Sequence, residues 1–347
     1  METFHTLSQL LSQSGNQYLI YDLSRKVSLV DNKLFESVEQ AQQPYPFPIQ
    51  RHAHIAIAYW NEQPQPWIWF LKFPLDERGL FKQADIGNFI KYVLEAMGTR
   101  ISGELSEEQQ EKLSNNPYTF KPAEDKLAVY HSVLRAKMKL PASQYYEHAQ
   151  HYFGGGLGWD KWQTVGLQGI TDIAARLSDN QNGVAVRKSL NHLPAQPLYA
   201  LLGALEHIEL PAKLAQRLNE LATNECSADN PDLYLLAALA RALSGSNPEQ
   251  LASLTQTILQ SARLSHQEVL IALAGRCWSA LKQPKSAELF LLRLAQTNNQ
   301  DLFNQLFADL VMIPELRMVF LPLLHGAPSP ELAQALLNLQ QNAKGQA

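Results

Sequence analysis

The amino-acid sequence predicts an α+β N-terminal domain, a small antiparallel sheet with helices, followed by an all-α, HEAT-like α-solenoid. Three observations lead to this prediction. Strand-like segments alternate with helical ones only in the first 122 residues. The remaining chain contains strong helix formers with regular Pro or Asn interruptions. Apolar helix starts recur there about every 35 residues, a period typical of stacked helical pairs.

The first domain, residues 1–122, is predicted in the order helix, two strands, helix, two strands, helix. Gly15 ends the first helix, three prolines after residue 43 end the second, and Gly98 caps the third. The paired strands imply hairpins and therefore an antiparallel sheet. The predicted elements are, in order, Thr3–Leu11, Tyr18–Leu23, Val27–Val30, Lys33–Gln42, His54–Trp60, Trp67–Phe73 and Gln83–Met97.

Residues 123–158 are predicted as a helical linker that ends in a glycine-rich junction. The string from Phe153 to Trp159 holds four glycines. A phosphate-binding loop would follow a strand, but the segment before these glycines has a helical pattern. The residues therefore favour a sharp turn with positive φ, pinned by the packing of neighbouring aromatic side chains. Trp162 is expected to be a buried aromatic of this junction.

Residues 159–347 are predicted as the solenoid of helical pairs. A second helix lies between successive helix starts, and no tetratricopeptide consensus can be read. The predicted starts lie 33–36 residues apart, at Trp162, Leu198, Leu233, Val269 and Leu302.

Composition restricts the classes of function. The chain has 347 residues, 46% of them hydrophobic, and a formal net charge of −4. No apolar run is long enough to span a membrane, and the first residues do not resemble a secretory signal. Cys226 and Cys277 suggest no disulfide framework. Residues 1–122 carry 11 basic and 14 acidic side chains, and the remainder 18 and 19, which argues against nucleic acid as a partner. We expect a cytoplasmic protein without a membrane partner.

The sequence contains no recognisable catalytic or cofactor motif. It lacks a Gly-x-Ser-x-Gly elbow, a Walker A loop, a dinucleotide fingerprint and a His-Glu-x-x-His motif. In the string from Glu147 to His151 the glutamate precedes the first histidine, and the histidines are three residues apart, so zincin geometry fails. No catalytic residue, cofactor or metal ligand is predicted.

Two strings hold the candidate partner-binding residues. An acidic-basic turn follows the last predicted strand, and it is either a partner contact or a solvated loop with local ion pairing. The aromatic residues around the glycine string either form a recognition surface or pack the junction. The candidates are Asp76, Glu77, Arg78, Tyr145, Tyr146, His148, Trp159 and Trp162.

Four strings resemble an uncharacterised gammaproteobacterial family of unknown function. They begin at Glu2 (Glu-Thr-Phe-His-Thr-Leu-Ser-Gln-Leu-Leu), Tyr21 (Tyr-Asp-Leu-Ser-Arg-Lys), Phe70 (Phe-Leu-Lys-Phe-Pro-Leu-Asp-Glu-Arg-Gly) and Tyr145 (Tyr-Tyr-Glu-His). The resemblance covers nearly the whole chain. It implies a bacterial cytosolic protein and supplies no activity, cofactor or site residue.

Two hypotheses of function remain open. The first is a non-enzymatic scaffold or adaptor that binds a protein partner through the solenoid surface, the N-terminal domain or both, which is the usual role of such surfaces. The alternative is an enzyme or accessory subunit with a ligand site in the cleft between the two domains. The residues favour the first.

Overall fold

The computed structural model describes residues 4–345 except 63–64, 99–100, 102–105 and 327. The chain divides into two units. One contains the residues up to Pro122 together with Val311–Arg317, and the other contains Ala123–Leu310 and the residues from Met318 onward. All strands of the described residues lie before Pro122, and helices and turns follow it. The predicted change from a mixed to an all-helical chain is confirmed.

The four strands of the first unit form one antiparallel sheet in the order β2-β1-β3-β4. Ile20 of β1 lies opposite Ile57 of β3, which lies opposite Trp69 of β4. The outer edge of β4 is partly covered, because the Phe120 amide donates to the Phe70 carbonyl. The strands are β1 (Gln17–Asp22), β2 (Ser28–Val30), β3 (His52–Trp60) and β4 (Trp67–Pro74).

The first three helices of this unit pack on the sheet in the predicted order, and a fourth, which is not one of the predicted elements, contacts the third. The bounds are α1 (Leu7–Gln13), α2 (Asn32–Glu39), α3 (Gln83–Met97) and α4 (Glu107–Ser114). Contacts join α1 and α2 to β1 and α3 to β4, around a core that includes the buried residues Ile55 and Ile57. The Thr6 side chain accepts from the Gln9 amide, so α1 begins later than predicted. Thr3 of that predicted helix and residues 63–64 of the predicted β3–β4 turn lie outside the described residues.

The chain after Pro122 is helical throughout its described residues, with short 3₁₀ turns between some helices. The helices are α5 (Glu124–Lys137), α6 (Tyr146–Phe153), α7 (Leu167–Ala175), α8 (Asn182–Ser189), α9 (Ala195–Leu205), α10 (Ala212–Ser227), α11 (Leu233–Ala242), α12 (Pro248–Gln260), α13 (Gln267–Arg276), α14 (Pro284–Ala295), α15 (Gln300–Met312), α16 (Pro314–Phe320) and α17 (Pro330–Gly345).

Alternate helices pack side by side. Helices α7, α9, α11 and α13 each contact the next of that series, and so do α8, α10, α12 and α14. Polar contacts join the second series at nearly constant sequence separation. Gln250 Nε2 donates to the Ala215 carbonyl at 3.3 Å, 35 residues away, and Arg293 Nε donates to the Leu259 carbonyl at 2.7 Å, 34 residues away. Successive helical pairs therefore meet in a similar register.

One predicted helix start is wrong. Residues Trp159–Thr164 form a 3₁₀ turn instead of the start of an α-helix at Trp162, and α7 begins at Leu167. The turn follows Gly158, whose φ is +82°, and Val165 is extended. These two backbone conformations separate the turn from α7, which the aromatic spacing alone does not reveal.

Candidate functional site

The acidic-basic turn after β4 is closed by its own aspartate. The Asp76 carboxylate accepts from the backbone amides of Arg78 at 2.9 Å and Leu80 at 2.8 Å, and from Arg78 Nε at 3.1 Å. Burial alone would raise the pKa of Asp76, but these hydrogen bonds and the Arg78 guanidinium lower it below its ordinary value. Asp76 thus has a local role, whereas Glu77 and Arg78 are exposed.

The glycine string turns the chain sharply, as the sequence predicts. Gly155 and Gly158 both have φ of +82°, a region that residues with a Cβ rarely occupy. A Cβ at Gly156 would collide with the imidazole ring of His151. Backbone conformation and close packing therefore account for three of these glycines.

The predicted junction residues before this turn, Tyr145, Tyr146 and His148, differ in their exposure and contacts. Tyr145 is half exposed, whereas Tyr146 is part of a polar network. The Tyr146 hydroxyl accepts from Asn182 Nδ2 at 2.8 Å, and the Arg176 guanidinium lies over its ring, 5.8 Å from the centroid. His148 is exposed, and its Nε2 lies 2.9 Å from Thr164 Oγ1.

The two tryptophans of the 3₁₀ turn differ in their surroundings. Trp159 stacks on His192 with the ring centroids 5.4 Å apart and meets Tyr152 edge to face at 5.6 Å. Trp162 is only partly buried, and the turn has no fully buried residue. The expectation that Trp162 is a buried aromatic is therefore wrong, and Trp159 is the tryptophan that packs the junction.

One exposed surface was not predicted from the sequence. It lies on α9, α11 and α13, which are the first helices of three successive helical pairs. Each helix exposes a large apolar side chain: Tyr199 of α9, Tyr234 of α11 and Ile271 of α13. A glycine follows one turn later on α9 and α13, and an arginine lies at the end of α11 and of α13. We call this surface the α9–α11–α13 face and define it by Tyr199, Gly203, Tyr234, Arg241, Ile271, Gly275 and Arg276.

A shared carboxylate holds the arginine end of the face together. Glu206 follows α9, and its side chain is 9% exposed. Arg276 Nε donates to Glu206 Oε1 at 2.7 Å, and Arg241 Nε lies 3.3 Å from Glu206 Oε2. Because α9 and α13 flank α11, these ion pairs join three consecutive first helices. The sequence contained a signal for the cluster, since its three residues lie exactly one 35-residue period apart.

The glycines of the face are not required by packing. A Cβ at Gly203 or Gly275 would have no heavy atom within 4 Å, the adjacent residues and the backbone of its own helix excepted. Neither residue has positive φ. Glycine in a helix costs stability relative to alanine, about 0.5–1 kcal/mol in a helix interior. The two residues therefore leave open surface between the apolar row and the arginines.

The described part of the chain also lacks an evident metal site and a membrane-spanning helix. No group of three His, Cys, Asp or Glu side chains there is arranged to hold a metal ion. None of its helices is both long and apolar enough to cross a bilayer.

Comparison with known proteins and families identifies the family of this chain. No curated protein and no solved structure matches the chain. A family model described as "Protein of unknown function (DUF3549)" matches residues 2–340, which is nearly the whole sequence and includes both units. The family description names no activity, ligand or partner. The chain belongs to this family, DUF3549.

Proposed function

We propose that this protein is a non-enzymatic scaffold or adaptor that binds a protein partner through the α9–α11–α13 face. The proposal treats the helical pairs as a HEAT-like α-solenoid, supported by the side-by-side packing of alternate helices and the contacts between residues 34 or 35 positions apart. It also places the protein in the cytoplasm, which suits two buried cysteines that form no disulfide.

The observation that carries the proposal is the exposed apolar row of the face. Tyr234 is 61% exposed, and Tyr199 and Ile271 lie on the neighbouring helices with more than a third of their surface exposed. Tyrosine and arginine are among the residue types that contribute most to binding at protein interfaces. The face combines both with open space over two glycines, so a partner backbone can come close to the helices.

The test is affinity capture with the full-length protein at native abundance, followed by binding assays with each captured protein in purified form. The face variant carries Tyr199→Ser and Tyr234→Ser. The control carries Leu29→Ser, which replaces another exposed apolar side chain, 43% exposed in β2. We expect a captured protein whose affinity falls at least about tenfold with the face variant and stays unchanged with the control.

Two outcomes would contradict the proposal. One is a set of captured proteins that bind both variants as well as they bind the wild type. The other is a bound small molecule without any protein partner, which would favour the enzyme or accessory-subunit hypothesis.

A further inference from the structure

We infer that the partner presents a carboxylate to Arg241 and Arg276, so that the face binds an acidic peptide segment. This inference rests on the proposed function and adds the chemistry of the partner. The supporting observations are the unused hydrogen-bond donors of the two arginines and the acidic side chains at the start of α11 and α13.

The side chains of Glu206, Arg241 and Arg276 together carry an excess of positive charge. Two guanidiniums share the single carboxylate of Glu206, and the nearby His207 Nε2 lies 3.5 Å from Glu206 Oε1. With a neutral histidine, the cluster has a net charge of one positive unit. The ends of α9, α11 and α13 add partial negative charge from their carbonyl groups. At about half a unit each, these carbonyl charges offset the excess carried by the side chains. A partner carboxylate would therefore bind here through the hydrogen-bond donors of the arginines.

Donors remain available at the same place. Arg276 uses Nε for Glu206 and Nη1 for the Gly275 carbonyl. Arg241 pairs with Glu206 through Nε, and its Nη1 and Nη2 groups donate to no acceptor among the described residues. Its side chain is 33% exposed. An arginine with two free amino groups binds a carboxylate in a two-pronged arrangement, which a partner's Asp or Glu would supply.

Acidic side chains at the end of the face opposite the arginines indicate how a bound peptide is oriented. Asp232 precedes α11 and is exposed, and Glu268 lies in the first turn of α13. Carboxylates accept hydrogen bonds and do not donate them, so a partner carboxylate finds donors at the arginine end and not beside Asp232 and Glu268. Tyr199 lies two turns before Glu206 on α9. We therefore expect a segment with an apolar side chain at the tyrosines and an acidic one about 10 Å further along.

The experiment selects peptides on the immobilised full-length protein from a phage-displayed library of random 12-residue peptides. Peptides that lose binding to the Tyr234→Ser variant are then synthesised and titrated against wild type, Arg241→Gln and Arg217→Gln. Arg217 is the matched control, because its side chain is 28% exposed and also pairs with a glutamate. Thermal melting of each variant checks that it is folded.

Enrichment of Asp or Glu in the Tyr234-dependent peptides is expected. Arg241→Gln should weaken their binding about tenfold, and Arg217→Gln should leave it unchanged. Replacing the peptide's acidic residue by its amide should cause the same loss in wild type and no further loss in Arg241→Gln. Arg241→Lys should bind with intermediate affinity, since it keeps the charge without the planar fork.

The outcomes separate the inference from the proposed function. If Tyr234-dependent peptides show no acidic enrichment, or bind Arg241→Gln like wild type, the inference is overturned and the docking face stands. If no selected peptide depends on Tyr234, the proposed function fails as well.

Discussion

At the residue scale, the glycines of the second unit, which is helical, are of two kinds. A Cβ at Gly245 would collide with the Ile208 carbonyl oxygen, and one at Gly169 would crowd the Tyr145 carbonyl oxygen at 2.8 Å. Tight packing explains these two residues. Gly203 and Gly275 face open space, so no contact within the chain explains why these two residues are glycines. The proposed approach of a partner backbone to the helices accounts for them.

This difference predicts opposite effects of alanine. Gly203→Ala and Gly275→Ala should each raise the free energy of unfolding by about 0.4–1 kcal/mol, because alanine restricts the unfolded chain and meets nothing in the folded one. Gly245→Ala should lower it, because the backbone must move. Urea unfolding measures all three. Destabilisation by the first two changes would show that packing does require these glycines.

A second feature at this scale is the buried carboxylate of Glu39. It accepts from the backbone amides of Leu7 at 2.7 Å and Ser8 at 3.1 Å, and from the Ser8 hydroxyl. Burial raises the pKa of Glu39 from 4.5 to about 7, partly opposed by these hydrogen bonds. The side chain thereby ties the start of α1 to the end of α2.

The raised pKa predicts a pH-dependent stability. The folded protein holds the Glu39 proton more tightly than the unfolded chain, so this contribution is fully present below pH 4.5 and lost as pH rises through about 7. The loss is on the order of 3 kcal/mol. Urea unfolding at pH values from 4.5 to 8 should show it in wild type relative to Glu39→Gln. Parallel pH profiles for the two proteins would contradict the assignment.

At the element scale, a buried acid joins α5, α7 and the segment before α6. Asp172 of α7 is fully buried. It accepts from Ser132 Oγ at 2.7 Å and the Ser143 amide at 3.0 Å, and Arg176 Nη1 lies 3.3 Å away. Removing one member of a buried ion pair leaves the other charge uncompensated. The network therefore holds three segments in one arrangement.

Two aspartates in different settings should thus have different effects. Asp172→Ala should cost about 3–5 kcal/mol of unfolding free energy, because Arg176 stays buried without its partner. Asp232→Ala removes only the cap of α11, where the side chain accepts from two amides, and should cost about 1 kcal/mol. Chemical denaturation of both variants makes the comparison. Equal costs would mean that the Asp172 network contributes no more than a helix cap.

At the scale of the whole molecule, the two cysteines report on the stack of helical pairs. Cys226 ends the buried face of α10, and burial raises the pKa of its thiol. Cys277 follows α13, is fully buried and donates its thiol to the Ala240 carbonyl at 3.2 Å. Both thiols belong to the same helical unit, where each pair depends on its neighbours.

We expect both thiols to react with Ellman's reagent at neutral pH on the order of a hundredfold more slowly than in the urea-unfolded chain, because reaction requires opening of the packed helices. Both should become reactive in the same urea transition. The Cys226→Ser and Cys277→Ser variants assign the rates. A single cysteine that reacts rapidly in the folded protein would contradict this prediction.

The predictable part of the fold rests on local patterns. Helix α3 has the predicted bounds, Gln83–Met97, because its apolar stripe and the glycine after it are both visible in the sequence. Trp162 shows the limit of this reasoning. Its spacing from Trp159 suits a helix face, but the left-handed Gly158 and the extended Val165 isolate a 3₁₀ turn, and the ring stays partly exposed.

Local patterns in the sequence predicted most of the elements, their order and the repeat of about 35 residues, because apolar periodicity and helix-ending residues act over a few positions of the chain. Contacts between side chains far apart in the sequence depend on tertiary packing. Glu206, Arg241 and Arg276 come together because neighbouring helices pack in register, and that register depends on the summed packing of many side chains. Packing within each unit likewise left Tyr234 exposed and buried Glu39, two outcomes that no local pattern distinguishes.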